Sequence, residues 1–133
     1  MTTTKLFLGI DCGTQGTKAI ILDADSGQVL GLGAAPHTMI SGANGRREQD
    51  VQQWLDAFVS ATRQALQAAN VDGQAILGVG VSGQQHGLVL LDEQGAVLRP
   101  AKLWCDTETT PENDRLLAQL GGEEGSLLSL IHI

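Results

Sequence analysis

Apolar positions along the chain fall into several short runs and one long stretch with helical spacing. Residues 5–10 (KLFLGI) are a short apolar run stopped by Gly13, which predicts a strand. Residues 18–23 (KAIILD) predict a second strand, and the Asp-, Ser- and Gly-rich stretch 23–27 predicts a turn after it. Residues 28–36 (QVLGLGAAP) predict a third strand, so the first three form an antiparallel meander. Residues 41–49 (SGANGRREQ) read as a polar, Gly-rich loop.

A helix is predicted from Asp50, a suitable N-cap, with Gln53 where a capping box places Glu or Gln. Val51, Leu55, Phe58, Val59, Thr62, Ala65, Leu66 and Ala69 then form one helical stripe directed at a sheet. The helix is expected to end near Asn70 and Gly73. Residues 75–83 (AILGVGVSG) are almost wholly apolar and predict a strand covered on both faces. Residues 87–104 predict a hairpin turning at Asp92-Glu93-Gln94-Gly95. A second helix is expected to start at Thr110-Pro111 and run to about Leu120, with Gly121-Gly122 ending it. Three strands, a helix, a strand, a hairpin and a helix make a three-layer α/β fold with a mixed sheet.

Composition narrows the function classes. A chain of 133 residues with 42% hydrophobic and 17% charged residues is sized for one domain with a core. Its net charge of −7 and lack of a basic stripe argue against nucleic acid and anionic membrane surfaces as partners. No apolar run approaches the ~20 residues that cross a bilayer. The opening MTTTK lacks a signal-peptide layout, so a cytoplasmic location is expected. Cys12 and Cys105 suggest neither a disulfide framework nor a zinc site. Aromatic residues are only 3%, so Val, Leu, Ile and Ala must build the core, with Trp54 and Trp104 as rare large pieces.

Candidate chemistry begins at residues 10–18, IDCGTQGTK, between the first two predicted strands. A triphosphate tail needs backbone N–H groups, a closely approaching backbone and a carboxylate for Mg²⁺. Gly13 and Gly16 allow close approach and left-handed torsions. Thr14, Gln15 and Thr17 offer donors, Lys18 offers charge, and Asp11 at the strand end can hold a hydrated metal ion. The spacing matches neither G-x-x-x-x-G-K-[ST] nor G-x-G-x-x-G. A plain Gly- and Thr-rich hairpin turn is the competing reading, although such a turn has no need of Asp11.

Residues 6–125 resemble the start of the FGGY carbohydrate kinases, members of the actin-like superfamily with a ribonuclease H-like fold. Asp11, Gly13, Thr14, Gly16 and Asp23 match the family's first phosphate-binding hairpin. The resemblance implies a mixed sheet with antiparallel first strands and helices on both faces. It also implies a phosphotransferase that uses ATP and Mg²⁺ on a small sugar.

Two further stretches bear on the acceptor. Ser82, Gln84, Gln85 and His86 cluster at the end of a predicted strand, where α/β sheets bind ligands. Gln and His supply the neutral donors and acceptors that a polyol or ketose needs; an ordinary polar loop is the alternative. The segment SGQQHG is similar to the sugar-contacting segment of the family's xylulokinase branch. In KLWCDTET, residues 102–109, Trp104 can wall a sugar and Asp106 can accept from its hydroxyls. Alternatively, Trp104 is core and Asp106 caps a turn. The family resemblance favours Gln85, His86, Trp104 and Asp106 as sugar contacts. REQD at 47–50 reads as helix capping. His37 and His132 have no evident ligand partners.

The resemblance places the family's general base and adenosine pocket beyond residue 133. The isolated chain is therefore expected to lack kinase turnover and to self-associate through uncovered apolar surface. Residues 126–133 read as a truncated or non-native tail. A kinase for another pentulose or polyol, and a non-catalytic sugar- or nucleotide-binding module, are the alternatives.

Overall fold

A computed structural model describes residues 5–122. The tail 126–133 and His132 lie outside the described residues. The chain forms β1 (Leu6–Cys12), β2 (Gly16–Asp23), β3 (Gln28–Pro36), β4 (Ile40–Ser41), β5 (Arg47–Gln49), α1 (Val51–Ala69), β6 (Ile76–Gly83), β7 (Ala101–Lys102) and α2 (Thr110–Gln119). The larger sheet has the order β3-β2-β1-β6. The first three strands are the expected antiparallel meander, and β6 joins β1 in parallel after the α1 crossover. The sheet is therefore mixed, and the fold is the expected α/β type.

Period-two alternation sorts β1 and β2 between the two faces. Leu6, Leu8 and Ile10 of β1 and Ala19 and Ile21 of β2 are buried beneath α1. Asp11 and Lys18 face the other way as cross-strand partners. Helical cover was expected on both faces; among the described residues α1 covers one and no helix covers the other.

The face that α1 buries differs from the expected stripe. Its buried residues are Ala57, Ala61 and Ala65, four residues apart, whereas Leu55 and Val59 are exposed. The cause lies in β3. A Cβ at Gly31 or Gly33 would overlap the Ala65 or Ala61 carbonyl oxygen, so helix and strand backbones approach closely and only small residues fit. Phe58, Leu66 and Ala69 pack at the margin of this contact. Asp50 caps α1 as expected, accepting from the Gln52 N–H at 2.9 Å. Gln53 completes no capping box; its side chain bonds the Thr38 backbone instead. Asn70 ends the helix in the left-handed conformation.

Three other expectations need correction. The strand β6 is not covered on both faces: Leu77, Val79 and Val81 are exposed. Among the described residues it is an edge strand paired with β1 alone, and α1 lies mainly over β3 and β2. The stretch 41–49 is not simply a loop, because β4 and β5 join β7 in a small second sheet. These strands are too short to show a periodic pattern. The segment 87–104 does turn at Asp92–Gly95, with the Gly95 N–H donating to the Asp92 carbonyl at 3.0 Å. Its arms meet only at the isolated bridges Leu91↔Val97 and Leu88↔Lys102, and Pro100 interrupts one arm. The core is Leu, Ile and Ala; no valine is fully buried among the described residues, Trp54 is half-buried and Trp104 is exposed.

Candidate functional site

The tight connection between β1 and β2 closes with the Gly13 N–H donating to the Gly16 carbonyl at 3.0 Å. One wall of a cleft of about 740 Å³ is built by Asp11, Gly13, Thr14, Gln15 and Lys18, and Trp104 also borders it. A second groove of about 400 Å³ shares Asp11, Gly13, Thr14 and Trp104 and adds Gln84, Gln85 and His86. The hairpin is thus the wall common to two adjoining spaces, and Asp11 borders both.

Each glycine serves a different end, and neither adopts a left-handed torsion. At Gly16 a Cβ would lie 2.6 Å from the Ala35 carbonyl oxygen, so the close approach of β3 excludes a side chain. At Gly13 a Cβ would meet only ordinary contact, 3.5 Å from the Gly16 carbonyl oxygen. That position borders open space.

Thr17 departs from its expected place. Its side chain is fully buried on the α1 face, and its Oγ1 is bonded to His37 Nε2 at 3.0 Å. It cannot present its hydroxyl to the cleft, because alternation along β2 sends it opposite to Lys18. The other ring nitrogen of His37, Nδ1, lies 3.0 Å from the Gly13 carbonyl oxygen. Burial lowers the basicity of the imidazole, opposed in part by that carbonyl.

A chain of amides and an indole ties the hairpin to the Gln84–His86 segment. Thr14 Oγ1 donates to Gln84 Oε1 at 3.0 Å and accepts from Trp104 Nε1 at 3.0 Å. Gln49, fully buried, donates from Nε2 to the Thr14 carbonyl at 2.7 Å. Its Oε1 accepts from Trp54 Nε1 at 2.9 Å and Gln84 Nε2 at 3.2 Å. Buried amides are retained where their hydrogen bonds are met, as here. Beyond Gln84, the side chains of Gln85 and His86 are exposed. His86 adopts φ +58, a left-handed conformation that costs a residue with a Cβ roughly 1–2 kcal/mol.

Asp106 is turned toward partners within the chain. Its side chain is 3% exposed, and both oxygens are engaged. The Arg47 N–H donates to Oδ2 at 2.7 Å and the Glu108 N–H to Oδ1 at 3.0 Å, while Lys102 Nζ lies 3.1 Å from each oxygen. Burial alone would push its carboxyl up; these donors outweigh that and hold it below the usual value. Lys102 also bonds Glu108 at 2.7 Å and lies 3.5 Å from Glu48, which Arg99 pairs as well. The Glu108 bond leads the interactions that raise the Lys102 ammonium's pKa. The three carboxylates thus surround a cation from the chain itself and tie the small sheet together.

Two residues of this arrangement escaped sequence reasoning. His37 and Gln49 meet the hairpin across 24 and 35 residues of chain, separations that no local pattern encodes. Gln84 was visible only as a member of its polar cluster.

The model of the FGGY family of carbohydrate kinases, N-terminal domain, matches residues 6–127. The chain belongs to this family. It is 50% identical over 122 residues to the xylulose kinase of Haemophilus influenzae, covering 89% of this chain and 25% of that protein. It is 46% identical over 117 residues to the xylulose kinase of Streptomyces rubiginosus, covering 88% of this chain and 23% of that one. Among solved structures, a xyloylose kinase from Brucella ovis superposes with a TM-score of 0.79 at 37% identity. That match covers 86% of this chain and 24% of the other. An FGGY chain that spans about a quarter of these relatives is thus mixed α/β with the actin-like kinase fold.

Proposed function

We propose that this chain supplies the phosphate-gripping hairpin and the acceptor segment of an ATP-dependent kinase that converts D-xylulose to D-xylulose 5-phosphate. The observation that carries this reading is that one hairpin, with Asp11 on its open side, separates two adjoining grooves. A phosphate tail in the larger groove and a sugar in the smaller one set the γ-phosphoryl group beside the hydroxyl that receives it. Positioning and charge stabilisation are most of what phosphoryl transfer requires.

The residues fit their partners. Asp11 is exposed and unpaired among the described residues, so it is open to a hydrated Mg²⁺. Magnesium usually keeps several waters and takes one or two carboxylates. The backbone N–H groups of Thr14 and Gln15 and the ammonium of Lys18 meet the phosphates, and Gly13, with no side chain, lets them approach. Mg·ATP supplies the phosphoryl group and the charge that neutralises its transfer. Gln85 and His86 orient the sugar, with Trp104 as an apolar wall. Asp11 is the only carboxylate lining either groove among the described residues. This part of the molecule therefore binds and orients, and removal of the hydroxyl proton is not assigned to it. The xylulose kinases among its relatives favour D-xylulose as the acceptor.

Titrating the full chain with D-xylulose, D-ribulose and glycerol, followed by backbone amide spectra, tests the proposal. D-xylulose should shift the amides around 82–86 and bind tightest. His86→Asn keeps a residue that tolerates the left-handed conformation, so it should fold normally and weaken sugar binding ~10-fold, the scale of one lost hydrogen bond. Preferred binding of another sugar would assign another acceptor. No shift with any of them would remove the acceptor role.

A further inference from the structure

Three successive carbonyls of the hairpin are held from one side. The Gly13 carbonyl meets His37 Nδ1 at 3.0 Å, and the Thr14 carbonyl accepts from Gln49 Nε2 at 2.7 Å. The Gln15 carbonyl accepts from the His37 backbone N–H at 2.9 Å. A trans peptide unit points its C=O and N–H in opposite directions, and every described peptide bond is trans. Holding these carbonyls therefore turns the N–H groups of Thr14, Gln15 and Gly16 away from His37 and Gln49. The His37 ring reaches the buried face at Thr17, whereas Asp11 and Lys18 occupy the opposite, open face. No hydrogen bond among the described residues uses the Thr14 or Gln15 N–H.

We propose that His37 is a positioning residue for phosphate binding, fixing the peptide units of residues 13–16 so that their N–H groups face the cleft, with Gln49 holding the central carbonyl. This rests on the reading that the hairpin receives phosphates. A carbonyl oxygen only accepts, so Nδ1 carries the proton. In the neutral ring, Nε2 is then the acceptor for the buried Thr17 hydroxyl, and both nitrogens are committed. Burial favours that neutral form, opposed in part by the Gly13 carbonyl.

The experiment uses the full chain labelled with ¹⁵N-histidine. Long-range ¹H–¹⁵N spectra at neutral pH should show His37 as the Nδ1–H tautomer; the Nε2–H tautomer would overturn the proposal. The chain, His37→Ala and His37→Asn are then titrated with Mg²⁺ and inorganic tripolyphosphate. His37→Ala should weaken tripolyphosphate ~10-fold, about the loss of one positioned hydrogen bond, and leave D-xylulose binding unchanged. His37→Asn, whose amide can donate from near the Nδ1 position, should recover most of the loss. Tripolyphosphate affinity within twofold of wild type in His37→Ala, or no recovery in His37→Asn, overturns this proposal alone. A wild-type chain that binds no tripolyphosphate overturns the phosphate reading and this proposal with it. The tautomer measurement needs no variant, so a misfolded substitution cannot hide a wrong assignment.

Discussion

At the scale of single residues, Gly13 and Gly16 separate two reasons for lacking a side chain. The Ala35 carbonyl stands 2.6 Å from where a Gly16 Cβ would be, so Gly16→Ala must push β2 and β3 apart. Overpacking of this kind costs about 1–3 kcal/mol, and urea denaturation should register it. Gly13→Ala meets no such obstacle and should keep the wild-type midpoint within about 0.5 kcal/mol, as a substitution away from special features does. Its methyl would nevertheless project beside the cleft and should weaken Mg·ATP or tripolyphosphate. A Gly13→Ala chain that unfolds early, or binds as the wild type does, would contradict this division. The hairpin was legible because its residues are contiguous: Asp11, both glycines and Thr14 announce a turn with a carboxylate at its edge. The inward course of Thr17 was also implicit, since it alternates with Lys18 along β2. His37 was not legible, because its bonds to Gly13 and Thr17 exist only once β3 has returned alongside β2.

At the scale of elements, the α1–β3 contact is the least forgiving part of the fold. Its closeness comes from Gly31 and Gly33 facing Ala65 and Ala61. Gly33→Ala should cost more than Gly16→Ala, because its Cβ would lie 2.0 Å from the Ala61 carbonyl oxygen, a deeper overlap than the 2.6 Å at Gly16, and both obstacles are backbone. A denaturation midpoint unchanged by Gly33→Ala would mean that α1 stands further off than described. A search for large apolar residues at helical spacing points to Leu55 and Val59, which are exposed here. The alanines carry little hydrophobic signal of their own, and only their fit to strand glycines gives them a role. The second sheet was hidden for a different reason. Strands of two or three residues have no period, and their partners lie far along the chain. The partners of Asp106 were hidden for the same reason, since they are Arg47 and Lys102 of that sheet.

At the scale of the whole molecule, apolar surface stays open along β6 and the 87–104 segment. Leu77, Val79, Val81, Leu88 and Leu98 are all more than half exposed. Contiguous surface of this kind drives association, and an edge strand adds unpaired backbone groups. Sedimentation velocity over a range of concentrations should show species heavier than one chain growing with concentration. A single monomeric boundary throughout would count against that expectation. The open surface reaches the site itself, because Val81 lines a cavity with Asp11 and Lys18, beside the junction where Thr14, Gln49, Gln84 and Trp104 interlock.

That interlock gives three consecutive positions unequal latitude. Residue 84 is spoken for by architecture, both ends of its amide being tied down, while 85 and 86 project outward with no such obligation. A change at 84 therefore reaches back to Thr14, 70 residues earlier in the chain, whereas a change at 85 does not, and one at 86 has only its left-handed backbone to respect.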